Sequence, residues 1–134
     1  ALSLEESAHP KASMELPVHL GIYHASAAKA IIHAHPPSAI ALSLLDETIV
    51  PPDSEGGHIL GKVPVIVAAN VVASQEVADR ASSLLQAHHA VMVRGHGSFV
   101  VGESLEDALR ITTTLEASAK ILLLAKGAGW RASS

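Results

Sequence analysis

The chain has no cysteine. That excludes disulfides and every thiolate zinc site, so a zinc ion here would need histidine and carboxylate donors. Aromatic residues are almost as scarce, with one tyrosine, one phenylalanine and one tryptophan (Tyr23, Phe99 and Trp130). A core must therefore be assembled from Ala, Val, Ile and Leu, which suits a layered α/β packing of small side chains. Basic runs and aromatic platforms are missing, and the formal net charge is −4. Both absences argue against a nucleic-acid partner. Apolar runs such as Val63 to Ala69 are too short to span a bilayer, and no signal-peptide pattern opens the chain. The chain also lacks a Gly-rich phosphate loop of the P-loop or dinucleotide type and a Gly-x-Ser-x-Gly nucleophile elbow. The expectation is a soluble, cytoplasmic protein with neither a nucleic-acid nor a membrane partner. Its 134 residues suit one domain.

What is present in excess is histidine, nine in all. Two of them, His33 and His35, lie in the run Ala30-Ile-Ile-His-Ala-His-Pro-Pro-Ser38. On a strand, side chains two apart share a face about 6.6 Å apart along it. Ile32 and Ala34 would then face packing, and the two imidazoles would lean together toward the other side. Such a pair suits a shared zinc ion at about 2.0–2.1 Å per nitrogen. It equally suits hydrogen-bonded surface histidines, and the pair alone leaves both open.

Around this strand the spacing predicts alternating elements. Residues 1 to 14 have no clean period, and Pro10 breaks whatever precedes it. Leu16, Leu20 and Tyr23 predict a helix from Glu15 to about Ala28, with Ser13 as a cap and Pro17 in the first turn. Pro36-Pro37 end the first strand, and a short helix follows from about Ser38 to Leu45. Asp46–Val50 suggests a strand, and residues 51–57 read as a loop by turn chemistry. Val63–Ala69 reads as a buried strand, and Ser74 caps a helix reaching about Ala87. Ala90–Arg94 and Ser98–Gly102 form a hairpin joined through Gly95-His96-Gly97. Ser104-Leu-Glu-Asp107 resembles a capping box and opens the longest helix, to about Lys126, with Leu105, Ala108, Leu109, Thr112, Leu115, Ala119 and Leu122 along one stripe. Gly127 is a natural stop.

His96 stands between two glycines as the chain leaves a strand, where the backbone can turn sharply and bring the imidazole close to another element. Alone it reads as a turn histidine. Beside His33-x-His35 it supplies the third donor of a three-histidine site, which leaves a zinc coordination position for substrate. Glu15 has two readings, a helix-start carboxylate favoured by the helix dipole or a general base beside the metal, and spacing does not decide between them. His19, one turn on, reads as packing or as support for the site. His24, His58, His88 and His89 read as surface or structural residues.

The ordered set Ser13-Met-Glu15-Leu-Pro-Val-His19-Leu-Gly-Ile-Tyr23, Ile32-His33-Ala-His35 and Arg94-Gly-His96-Gly resembles the class II aldolase/adducin-head family from about Lys11 to Lys126. The resemblance implies a three-layer α/β/α sandwich with a mainly antiparallel central sheet, and a homotetramer with active sites between subunits. It implies a Zn²⁺ ion, one per subunit, on His33, His35 and His96, with Glu15 as catalytic acid/base and Ser13 binding the substrate phosphate. The implied activity is reversible retro-aldol cleavage of a ketose 1-phosphate, such as L-fuculose 1-phosphate, to dihydroxyacetone phosphate and L-lactaldehyde. A pentulose-5-phosphate 4-epimerase, a sugar-phosphate dehydratase and a non-catalytic adducin-like interaction domain are the alternatives. Two departures stand out. Met14 occupies a position that is often a second serine, and the sequence begins after the family's N-terminal phosphate-gripping loops. A tyrosine that some members contribute from a neighbouring subunit has no evident counterpart in Pro51 to Lys62.

Overall fold

The computed structural model describes residues 12–133. The ten elements, in chain order, are Leu16–Ala25 (α1), Ala30–Ala34 (β1), Pro37–Leu45 (α2), Thr48–Ile49 (β2), Ser54–Ile59 (α3), Val63–Ile66 (β3), Gln75–Leu84 (α4), Ala90–Val93 (β4), Gly97–Gly102 (β5) and Leu105–Gly127 (α5). The strands form one five-stranded sheet in the order β1-β5-β4-β3-β2. Three of its pairings are antiparallel, whereas β3 and β4 run parallel, joined by the α4 crossover. The sheet is therefore mixed, and the α/β class expected from the residues holds. Among the described residues no helix is long and apolar enough to cross a membrane.

Alternation along the strands divides the core into two clusters. Ala30, Ala90, Met92 and Val100 pack with Leu42 of α2 and with α5. Their sequence neighbours Ile31, Val91 and Phe99 pack instead with Val18 and Ile22 of α1 and with Val77 and Ala81 of α4. All four residues of β4 are buried, so this central strand reads as an unbroken apolar run rather than an alternation. Small residues permit the close packing expected of an aromatic-poor core. A Cβ built on Gly21 of α1 would lie 3.3 Å from Ser82 Oγ and 3.4 Å from Ala78 Cβ, both on α4.

Several expected boundaries shift for local reasons. The first helix begins after Glu15, which is itself the N-cap, and ends at Ser26, whose hydroxyl donates to the Ile22 carbonyl. Ser13 therefore does not cap it; its hydroxyl accepts the Glu15 N–H at 3.1 Å. The expected loop at 51–57 contains the start of α3, because Asp53 accepts the Gly56 N–H and caps a helix instead of a turn. Strands expected at Asp46–Val50 and Val63–Ala69 shorten to β2 and β3, and α4 to Gln75–Leu84. On α5 the buried stripe includes Ile111 and Ser118, whereas Leu105 and Leu109 are exposed. The capping-box serine does act, Ser104 Oγ accepting the Asp107 N–H, but Asp107 reaches the Glu103 N–H rather than that of Ser104.

The helix α2 starts after Pro36, which has no side chain able to cap it. Glu116 of α5 does so from across the fold, its carboxylate oxygens accepting the Ser38 N–H at 2.6 and 3.0 Å. A carboxylate at this end also meets the positive pole of the helix dipole. Glu116→Ala should cost about 1 kcal/mol and lower the thermal midpoint by about 3–5 °C. Calorimetry at neutral pH checks this, and an unchanged midpoint would show that α2 is held without the cap.

Candidate metal centre

The antiparallel register pairs His33 with Phe99 and Ala34 with Ser98. It places His33 and His35 on the face that carries Ile31, the side on which α1 packs. The His33 ring stacks on Phe99, with centroids 4.3 Å apart at 20°. Its Nδ1 lies 2.8 Å from the Ser98 carbonyl oxygen. A carbonyl can only accept, so Nδ1 carries the proton and the Nε2 lone pair is free to face the site. That Nε2 lies 3.1 Å from Nε2 of His35.

Gly95 takes a φ of +70°, a conformation that costs a side-chain-bearing residue, and carries the chain into His96. Gly97 has a different task. A Cβ there would fall 2.3 Å from the Ala34 carbonyl oxygen and 2.7 Å from His35 Cδ2. Only a residue without a side chain lets the hairpin lie that close to the end of β1. The three imidazoles then form a near-equilateral triangle, with centroid separations of 4.9, 5.1 and 5.3 Å. One nitrogen from each lies within 4.8 Å of the others.

Glu15 completes the cluster from the start of α1. It is 6% exposed, although it is a carboxylate. Its Oε1 lies 3.5 Å from His96 Nε2 and accepts the Ala73 N–H at 3.4 Å. Ala73 adopts a φ of +50°, unusual for a residue with a side chain, and this conformation accompanies the turn of its N–H toward Glu15. Glu15 Oε2 is buried with no hydrogen-bond partner among the described residues. Ser13 is exposed beside it. His19 is half-buried, its ring edge-on to Phe99 at 5.8 Å.

The donor set fits a divalent cation. Two nitrogens on one tetrahedral zinc stand about 3.3 Å apart, given bonds of about 2.0–2.1 Å, close to the His33–His35 separation. A positive ion there would also offset the charge of the Glu15 carboxylate beside His96, whose second oxygen is buried without a partner among the described residues. Thus the structure brings together four of the five residues singled out in the sequence, with Ser13 two residues before Glu15 and bonded to its N–H. Sequence reading missed Ala73, Phe99 and the bonds that hold the 94–96 turn, because each acts through contacts distant in sequence. A cleft of about 510 Å³ lined by His24, Gln86 and His89 lies at the far end of the β1–β5 pair and includes none of these residues.

The family model for the class II aldolase and adducin N-terminal domain matches residues 2–123. The chain belongs to that family. It is 31% identical over 121 residues to a 3,4-dihydroxyphthalate decarboxylase from Rhodococcus jostii, covering 86% of this chain and 50% of that protein. The chain thus spans half the length of the curated relative it matches. Among solved structures it is similar to an L-fuculose-1-phosphate aldolase from Thermus thermophilus, with 40% identity and a TM-score of 0.90 over 98% of this chain and 72% of the other. A second L-fuculose 1-phosphate aldolase matches with 30% identity and a TM-score of 0.80 over 91% of this chain and 57% of the other.

Burial pushes the His33 imidazole below its ordinary pKa, with His96 and His35 adding to the effect and the Ser98 carbonyl and Glu15 opposing it. Burial lowers His19 as well, with His33 adding and Glu15 opposing. Unfolded histidine titrates at 6.5. The unfolded chain therefore takes up protons at a higher pH than the folded one, so stability is full above 6.5 and is lost as pH falls below it. The metal-free protein should show a falling thermal midpoint from about pH 7 to pH 5. His19→Gln should flatten part of that fall; a wild-type midpoint that stays level would contradict the assignment.

Proposed function

We propose that this chain is the metal-binding part of a class II aldolase, a carbon–carbon lyase that cleaves a sugar phosphate. The supporting observation is the convergence of three histidine nitrogens within 4.8 Å with a buried carboxylate 3.5 Å from one of them. On this reading His33, His35 and His96 hold one Zn²⁺ per subunit. When bound, the ion supplies Lewis-acid polarisation of a substrate carbonyl. Glu15 is the acid/base that moves the proton at the reacting carbon. Its burial keeps water from competing, and its place at the start of α1 puts the carboxylate within reach of whatever occupies the histidine triangle. Ser13, exposed next to Glu15, is assigned to the substrate phosphate.

The substrate assigned is a ketose 1-phosphate such as L-fuculose 1-phosphate, giving dihydroxyacetone phosphate and L-lactaldehyde; likeness to the Thermus aldolase supports it. The two core clusters support the three-layer α/β/α reading of the domain. We assign the working protein to a cytoplasmic homotetramer whose subunits share active sites. A second reading, decarboxylation of an aromatic acid, is favoured by the Rhodococcus relative. Both reactions break a carbon–carbon bond, and in each the carbon that keeps the electron pair must take up a proton, the task assigned here to Glu15. Product analysis with L-fuculose 1-phosphate and 3,4-dihydroxyphthalate separates them.

Glu15→Gln should keep zinc and lose about 10²–10⁴-fold in turnover; full activity in that variant would remove Glu15 from the chemistry. His33→Ala should lose the metal by elemental analysis, and unchanged zinc content would place the ligands elsewhere.

A further inference from the structure

Gly95, at the tip of the turn that leads into His96, is held to the fold by polar bonds. Gly95 is exposed, and a side chain built on it would meet only Leu44, at 3.5 Å, among the described residues. The Arg94 and His96 N–H groups donate to the Ile66 and Val93 carbonyls at 2.9 Å each, and the last turn of α2 adds the side-chain bonds. The Gly95 N–H donates to Ser43 Oγ at 3.0 Å. Arg94 Nε donates to the Ser43 carbonyl at 2.7 Å, and its Nη2 to the Asp46 carbonyl at 3.3 Å. Ser43 is fully buried, and its hydroxyl donates in turn to the Ile40 carbonyl at 2.6 Å. Each group is therefore used twice or matched to a helix-end carbonyl that would otherwise lack a partner.

The same helix is tied to the other side of the histidine triangle. His35 immediately precedes its N-cap, Pro36, and Glu116 anchors its first turn. One rigid nine-residue helix thus spans from the His35 segment to the His96 segment. We propose that Ser43 and Arg94 are positioning residues for zinc: they lock the hairpin turn onto α2 and so set the distance of His96 from His33 and His35. The inference rests on the reading of these histidines as metal ligands. Zinc–nitrogen bonds tolerate errors of only about 0.2 Å, so a turn that lost its bonds to α2 would leave the third ligand less well placed.

The test is zinc affinity, measured on purified metal-free protein by competition with a chromophoric chelator, together with the thermal midpoint of the same metal-free samples. Ser43→Ala should bind zinc about 10–100-fold more weakly than wild type. Ser82→Ala is the control: it removes another buried serine hydroxyl, one that bonds Ala78 on α4, and should leave affinity unchanged even where its midpoint falls as far. Arg94→Lys keeps the charge but cannot span both carbonyls, and should lose at least about 10-fold; it decides the matter should Ser43→Ala fail to fold. Wild-type affinity in a folded Ser43→Ala, or an equal loss in Ser82→Ala, would overturn the proposal while leaving the ligands intact. Equal zinc binding by wild type and His33→Ala would overturn the ligand reading, and this inference with it.

Discussion

Strand β1 lies so close against the start of β5 that no side chain fits between the Ala34 carbonyl and the backbone at position 97. The geometry of the site follows from that contact. The register it enforces stacks His33 on Phe99 and directs His33 Nδ1 to the Ser98 carbonyl. This leaves the other ring nitrogen free. The same contact carries His96 over the end of β1, where His35 already points. Shifting the pairing by one residue would turn His33 to the opposite face, toward α5 instead of α1.

On the α1 side, the arrangement is electrostatically unfinished as a set of protein atoms alone. A carboxylate is buried beside the His96 imidazole, and one of its oxygens has no partner among the described residues. Burial lowers the proton affinity of His33, so it does not simply become the missing cation. For His33 this suits a divalent ion, since a ligating histidine must be deprotonated at the bonding nitrogen. The core accommodates this polar cluster because its packing is carried elsewhere, by small aliphatic side chains divided between the two sides of the sheet.

Much of this was legible in the residues. Helix and strand types followed from spacing, since α4, β4, β5 and α5 carry clear periods or buried runs, and Ser74 and Ser104 cap the helices they precede. His33, His35, His96 and Glu15 could be selected together because the ordered motifs resemble one family, although each residue had an ordinary reading on its own. Other features were not legible. Asp53 caps α3 where a turn was expected, because Asp-Ser serves both roles and only packing of Gly56 near Ser118 and Pro51 selects the helix. The α5 stripe was misread at Leu105 and Leu109, because periodicity defines a face but not which edge of it meets the sheet.

By itself the sequence determined the class of fold and its lack of thiol donors, because these depend on composition and period, while the clustered histidines were picked out by ordered motifs that resemble one family. Only the tertiary structure decided how the histidines meet. The parallel β3–β4 pairing, the α2 helix capped by Glu116 and gripped by Arg94, and the Ala73 N–H aimed at Glu15 all join residues far apart in the chain. Such bonds leave no local pattern, since a donor and its acceptor need share only a place in space.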